Sequence, residues 1–149
     1  MKKKKYIEKS YKFINSIIPI TYSLNIQICQ TKSMKHNFNI MGLYNSKNNT
    51  IYINPYLFQL SDKEIYKVIF HEIGHSIHFN YLDYIPQYLP RKHHGDMSYY
   101  CNSNQKESFA ECFADYMWKL YNNKMNKIIH NKRLAKMHKI LMNKRDELI

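Results

Sequence analysis

The stretch SDKEIYKVIFHEIGHSIHF, residues 61–79, predicts the helix around which the fold is built. Ser61 and Glu64 have the spacing of a capping box, in which each side chain binds the other residue's backbone N–H at a helix start. Four isoleucines then recur at every fourth position, and a helix places residues four apart on one face. They are Ile65, Ile69, Ile73 and Ile77. We therefore expect an amphipathic helix with this face in the core.

The segment His71-Glu72-Ile73-Gly74-His75 in the same helix has the spacing of a metal site. Two histidines one turn apart can present both imidazoles to one ion. Glu72 lies about 100° around the helix from His71, so it can take a proton from metal-bound water without being a ligand. His78 continues the histidine row, and we expect it to pack against protein rather than bind the ion.

A catalytic zinc site needs a third protein ligand and an open fourth position. The sequence offers two carboxylates for this role, Asp96 in a predicted loop and Glu107 at the start of a predicted helix. Glu107 is favoured because a helix holds a carboxylate more rigidly than a loop does. Glu111, one turn later, is placed to contact a ligating histidine from its other side.

Two motifs resemble a known family. Glu107-Ser108-Phe109-Ala110-Glu111 is similar to the E-x-F-A-E element of the anthrax lethal factor-like zinc metalloproteases, which include the catalytic domain of anthrax lethal factor and the clostridial Pro-Pro endopeptidases. Gly42-Leu43-Tyr44 with Ile51-Tyr52-Ile53 is similar to the hairpin before that family's active-site helix. The resemblance covers residues 38–118 and is of the HExxH gluzincin type.

The resemblance implies an activity and a set of site residues. His71, His75 and Glu107 would hold one Zn²⁺ per chain, and Glu72 would be the general base of a metalloendopeptidase. Tyr100, seven residues before Glu107, matches the family's tyrosine that stabilises the oxyanion, and a phenol can donate that hydrogen bond. The resemblance also implies secretion, whereas the N-terminal segment is a weak match to a signal peptide, so the compartment stays open.

The rest of the chain predicts an α+β fold. We expect a basic helix at residues 4–17, a strand at 22–29, a hairpin from strands 38–44 and 50–54, and helices at 104–122 and 125–148, the last one basic and amphipathic. Together these indicate one zincin-like domain over residues 1–149, with a small sheet packed on the active-site helix and a helical C-terminal half. Strand 50–54 is expected to be an exposed edge that pairs with an extended protein or peptide substrate.

The charge pattern supports an alternative. The net charge is +12, with six lysines in the first 12 residues and nine Lys or Arg residues between positions 119 and 149. Such basic segments favour nucleic acid or an anionic surface, so the alternative is a non-catalytic binding module with a structural zinc. A structural site fills four protein positions, and the sequence offers no compelling fourth ligand. The enzyme is therefore favoured, and nucleic acid is not an expected partner.

Composition excludes several other classes. At 44% hydrophobic and 15% aromatic residues the chain is too apolar for a disordered protein. It has no apolar run long enough to span a membrane. Three cysteines cannot form the framework of a disulfide-rich domain. We expect a monomer.

Overall fold

The fold consists of a small sheet and several helices, of which one is long. The computed structural model describes residues 2–84 and 105–149. The elements in chain order are α1 (Lys2–Ile17), β1 (Asn25–Ile28), α2 (Lys32–His36), β2 (Gly42–Asn45), β3 (Thr50–Ile53), a 3-10 helix (Pro55–Gln59), α3 (Asp62–Leu82), α4 (Gln105–Tyr121), α5 (Met125–Ile129) and α6 (Lys132–Leu148). The predicted α+β class is confirmed, with the sheet packed on α3 and a mostly helical C-terminal half. None of the described helices is long and apolar enough to cross a bilayer.

The sheet has the strand order β1-β3-β2. The predicted hairpin is confirmed, since β2 and β3 pair antiparallel with Gly42 opposite Ile53. Its turn contains Asn49 at a φ of 48°, a left-handed conformation that asparagine tolerates. β1 pairs parallel to β3 on the other side.

The expectation that residues 50–54 form an exposed edge strand is wrong. β3 is central, with β1 and β2 paired to its two sides, and Ile51 and Ile53 are fully buried. The edge strand of the hairpin is β2. Hairpin signals along the chain fix which strands are neighbours, but they do not show which of the two accepts a third strand.

Helix α3 begins where the sequence predicts and ends three residues later than expected. Ser61 accepts a hydrogen bond from the backbone N–H of Glu64 at 3.3 Å. The second contact differs from a capping box, because the Ser61 hydroxyl donates to the Glu64 carboxylate at 3.1 Å. The four isoleucines of the predicted stripe are at most 1% exposed. Asp83, at a φ of 48°, ends the helix in the left-handed conformation.

Gly74 lets α4 pack closely on α3. A Cβ atom at position 74 would lie 2.8 Å from Cδ1 of Phe113, whose ring is fully buried. Only a residue without a side chain therefore fits between the two helix axes at this point. Cys112, beside Phe113, is buried as well and lies in the core.

The predicted single helix over residues 125–148 is wrong, because the chain forms two helices, α5 and α6. The break lies at His130 and Asn131, where the Asn131 side chain accepts a hydrogen bond from the N–H of Leu134 at 3.0 Å and caps α6. Ile129, the last residue of α5, is 63% exposed. An asparagine at a helix start competes with continuation of the preceding helix, since its side chain satisfies the new helix's free N–H groups.

Replacing Gly74 with alanine should lower the free energy of unfolding. Overpacking against Phe113 costs about 1–3 kcal/mol, which exceeds the gain of roughly 1 kcal/mol that alanine has over glycine in a helix. Urea unfolding of the two proteins measures the difference. In a Phe113→Leu background, where the smaller side chain makes room, Gly74→Ala should be neutral or stabilising. The same loss in both backgrounds would rule out the steric explanation.

Candidate metal centre

His71, His75 and Glu107 converge where α3 packs on the first turn of α4. The Nε2 atom of His71 lies 2.9 Å from Oε2 of Glu107, and Nε2 of His75 lies 3.0 Å from Oε1 of the same carboxylate. One ligand atom from each residue lies within 4.8 Å of the others, and the group could hold a metal ion. Two imidazole nitrogens and one carboxylate oxygen suit a first-row transition metal such as zinc.

The carboxylates that follow Glu107 along α4 are matched by cationic groups. Oε2 of Glu111 lies 3.7 Å from Nδ1 of His71, the ring nitrogen that faces away from Glu107. This is an ion-pair distance and is longer than a hydrogen bond. One turn further, Oδ1 of Asp115 lies 2.7 Å from Nζ of Lys119 and 3.8 Å from Nζ of Lys67. These contacts offset the repulsion expected in a row of acidic residues.

Hydrogen bonds and charges within the group shift the pKa values of Glu107 and His71. Burial alone would raise the pKa of the Glu107 carboxyl, but hydrogen bonds to His71 and His75 outweigh it and hold that pKa well below its usual range. Burial lowers the pKa of His71. The hydrogen bond to Glu107 and the negative charges of Glu72, Glu107 and Glu111 raise this pKa by more than burial lowers it, so the net shift is upward. Without metal, His71 therefore keeps its proton to a higher pH than a free imidazole does, and an ion that binds the ring has to displace that proton.

The side chain of Glu72, on α3, is buried beneath the edge strand β2. It is 7% exposed, and burial raises the pKa of its carboxyl. The backbone of Gly42 covers it so closely that a Cβ atom there would lie 2.8 Å from Cγ and 3.1 Å from Oε2 of Glu72. Glycine at position 42 therefore allows β2 to lie directly on this carboxylate.

These residues share one open cleft of about 800 Å³ between β2 on one side and α3 and α4 on the other. Its walls include backbone and side chains of the hairpin together with residues from both helices and from the end of α3. Besides the three candidate metal ligands and Glu72, the walls include Met41, Leu43, Tyr44, Lys67, Tyr84 and Lys106. The cleft can admit a ligand of peptide dimensions beside Glu72.

His78 packs against protein, as expected. His78 is 1% exposed and stacks on Phe109 with ring centroids 4.2 Å apart, so it packs in the core. Tyr100 and Asp96 lie outside the described residues.

Two residues of the cleft, Gly42 and Tyr84, were given no role in the site by the sequence alone. Gly42 carried a usable signal, since a glycine inside a strand often marks close backbone approach. Tyr84 carried none, because it follows the predicted end of the helix.

Comparison with protein-family models, with curated proteins and with solved structures finds no significant match to this chain. The chemistry of the cleft is therefore inferred from its residues and their geometry.

Raising the pH should weaken the metal-free chain. The pKa of His71 is raised above its usual value of 6.5, so its contribution to stability is complete below pH 6.5 and is lost as the pH rises through the raised pKa. Glu72 acts in the same direction, because its raised pKa favours folding below its usual value of 4.5. The lowered pKa of Glu107 adds stability that is lost only in acid.

The measurement is the free energy of unfolding in chelator, from about pH 6 to 9. Glu107→Gln serves as the matched variant and should show a shallower decline, since it removes the carboxylate that keeps the proton on His71. Stability that increases over this range, or equal slopes in the two proteins, would contradict the assigned His71–Glu107 coupling.

Proposed function

We propose that this chain is a zinc-dependent metalloendopeptidase of the HExxH type, with one Zn²⁺ bound by His71, His75 and Glu107. The observation that carries the proposal is the convergence of these three donors in one cleft beside a buried Glu72. Three such ligands leave a fourth position for water, as catalytic zinc sites require. The likeness of the motifs to the lethal factor-like metalloproteases supports the same function.

Glu72 is the general base in this proposal. Zinc, when bound, supplies Lewis-acid activation of a water molecule and of the substrate carbonyl. A carboxylate oxygen of Glu72 accepts the proton of the attacking water and then donates it to the amine that leaves. Burial raises the pKa of Glu72 towards the working pH, which suits a group that both takes and returns a proton. Tyr100, by resemblance, donates a hydrogen bond to the developing oxyanion.

The edge of β2 suits a substrate in extended conformation. The Asn54 N–H donates to the carbonyl of Met41 at 2.8 Å, and hydrogen-bonded pairs alternate along an antiparallel ladder. Leu43 is therefore bonded to β3, whereas the backbone N–H and C=O groups of Gly42 and Tyr44 point to the outer edge of the strand. An extended peptide in the cleft can pair with them as an added strand.

Two substitutions should separate metal binding from catalysis. Glu107→Ala should lose zinc and activity together, because it removes one of three ligands. Glu72→Gln should keep the zinc and cleave peptides at least about 100-fold more slowly, since it removes only the base. Zinc per chain and cleavage of a proteome-derived peptide library measure the two effects.

The matched control is Glu111→Ala, one turn along α4, which should keep one zinc per chain with weaker affinity. A Glu72→Gln variant as active as the wild type would contradict the assigned mechanism. A wild-type chain that binds no zinc in metal-replete buffer would contradict the proposed metal site and, with it, the peptidase function.

Methylating single backbone nitrogens of a cleaved peptide should slow cleavage at alternate positions only. Peptide N–H groups that face β2 recur at every second residue of an extended chain, and the N–H groups between them point away. The rate constant for each methylated peptide gives the pattern, and the alternate positions are internal controls. Equal effects at all positions would show that the peptide is not held as a strand.

A further inference from the structure

Tyr84 lies in the cleft in a strained backbone conformation. It follows α3 directly, and its φ of 56° comes after a φ of 48° at Asp83. Two successive left-handed residues other than glycine cost roughly 1–2 kcal/mol each and persist only where the surrounding structure holds them. The Tyr84 N–H donates to the carbonyl of His78 at 3.0 Å, which fixes the turn. This turn places the side chain in the wall that also contains Glu72, His75 and Glu107.

The Tyr84 ring is held by aromatic and cationic contacts. Its centroid lies 5.2 Å from that of His78, with the rings perpendicular, and 5.1 Å from that of Phe79. The Nζ atom of Lys106 lies 4.2 Å from the ring centroid, within range of a cation–π contact. Contacts with α3 and α4 at once leave the hydroxyl in a defined position.

Among the residues that the structure describes, none forms a hydrogen bond with the Tyr84 hydroxyl. Five other tyrosines have a raised pKa, and each of their hydroxyls bonds another side chain: Tyr6, Tyr22, Tyr44, Tyr66 and Tyr116. Burial, with the nearby Tyr44, Glu107 and Glu72, raises the pKa of Tyr84 to about 12. The hydroxyl therefore keeps its proton near neutral pH and remains a donor. A partly buried donor without a hydrogen-bond partner among the described residues is available to a ligand.

Tyr84 lies towards one end of the cleft. Tyr44, at the C-terminal part of β2, packs near Phe79 with ring centroids 6.4 Å apart, and Phe79 contacts Tyr84. Gly42, at the other end of the strand, lies over Glu72 and Val68. In a peptide that lies along β2, only the residues on one side of the bond next to Glu72 would therefore come near Tyr84.

We propose that Tyr84 is a substrate-binding residue whose hydroxyl donates a hydrogen bond to a backbone carbonyl of the peptide on one side of the cleaved bond. The proposal rests on the peptidase function proposed above. It concerns substrate binding, so it is separate from the oxyanion role that the family resemblance implies for Tyr100. The strained turn and the ring contacts together hold the donor in place before the peptide arrives.

The test is Tyr84→Phe, which removes the hydroxyl and keeps the ring. For a library peptide that the wild type cleaves, kcat/KM should fall about 3- to 10-fold, the factor expected for one hydrogen bond. The change should appear in KM, because the contact forms equally in the ground state and the transition state. Residue preference in the library should change on one side of the cleaved bond, with zinc content unaltered.

Tyr52→Phe is the matched control. Tyr52 lies on β3, and its hydroxyl accepts a hydrogen bond from Asn48 at 3.3 Å. The Tyr52→Phe variant also loses one phenol oxygen, but at a residue outside the cleft walls. It should therefore cleave peptides with wild-type kinetics. Identical KM values and library preferences for the Tyr84→Phe and Tyr52→Phe variants would overturn the role of Tyr84 and leave the peptidase function standing.

A second measurement applies if the zinc-loaded wild type cleaves no library peptide. Peptide hydroxamates extended in either direction from the chelating group are titrated by calorimetry into the three zinc-loaded proteins. For hydroxamates extended in one direction, the dissociation constant of the Tyr84→Phe variant should be about 3- to 10-fold higher than that of the Tyr52→Phe variant. Equal dissociation constants would overturn the role of Tyr84. A wild type that binds neither zinc nor these hydroxamates would overturn the proposed function as well.

Discussion

The close contact between Gly74 on α3 and Phe113 on α4 determines where the two halves of the candidate metal centre meet. The histidines belong to α3 and the third donor belongs to α4, so their separation depends on how closely the helices pack. A side chain at position 74 would push α4 outward, away from the imidazoles. Once the helices are in contact, Glu107 lies 2.9–3.0 Å from both Nε2 atoms without any loop having to place it. Rigid helices hold ligands with the precision that metal sites need.

A second close approach covers the carboxylate of Glu72. β2 crosses Glu72 at Gly42, so this carboxylate is covered by backbone, while Gly42, Leu43 and Tyr44 of the same strand line the cleft. The strand thus serves the carboxylate and the substrate at once in the proposed mechanism. Both glycines work by the absence of a side chain, and both lie at an interface on which the site depends.

Local signals predicted much of this arrangement. The start of α3, its isoleucine face and the pairing of β2 with β3 follow from spacing along the chain, because capping and helical periodicity act over a few residues. Features that depend on distant partners were missed. The sequence could not show that β1 pairs with the other edge of β3. Nor could it show that Tyr84, which lies beyond the expected end of the helix, lines the cleft. Asn131 could have been recognised as the capping residue of a new helix, α6. The helical spacing of apolar residues before and after it favoured one continuous helix instead.

The most direct test of the central claim is X-ray absorption at the zinc edge of the purified, zinc-loaded chain. Binding by His71, His75 and Glu107 predicts only nitrogen and oxygen neighbours at about 2.0–2.2 Å, with imidazole scattering from two histidines and one oxygen from water. A sulfur shell at about 2.3 Å would place the ion on cysteine instead, and would contradict the assignment of this cleft as a catalytic zinc site.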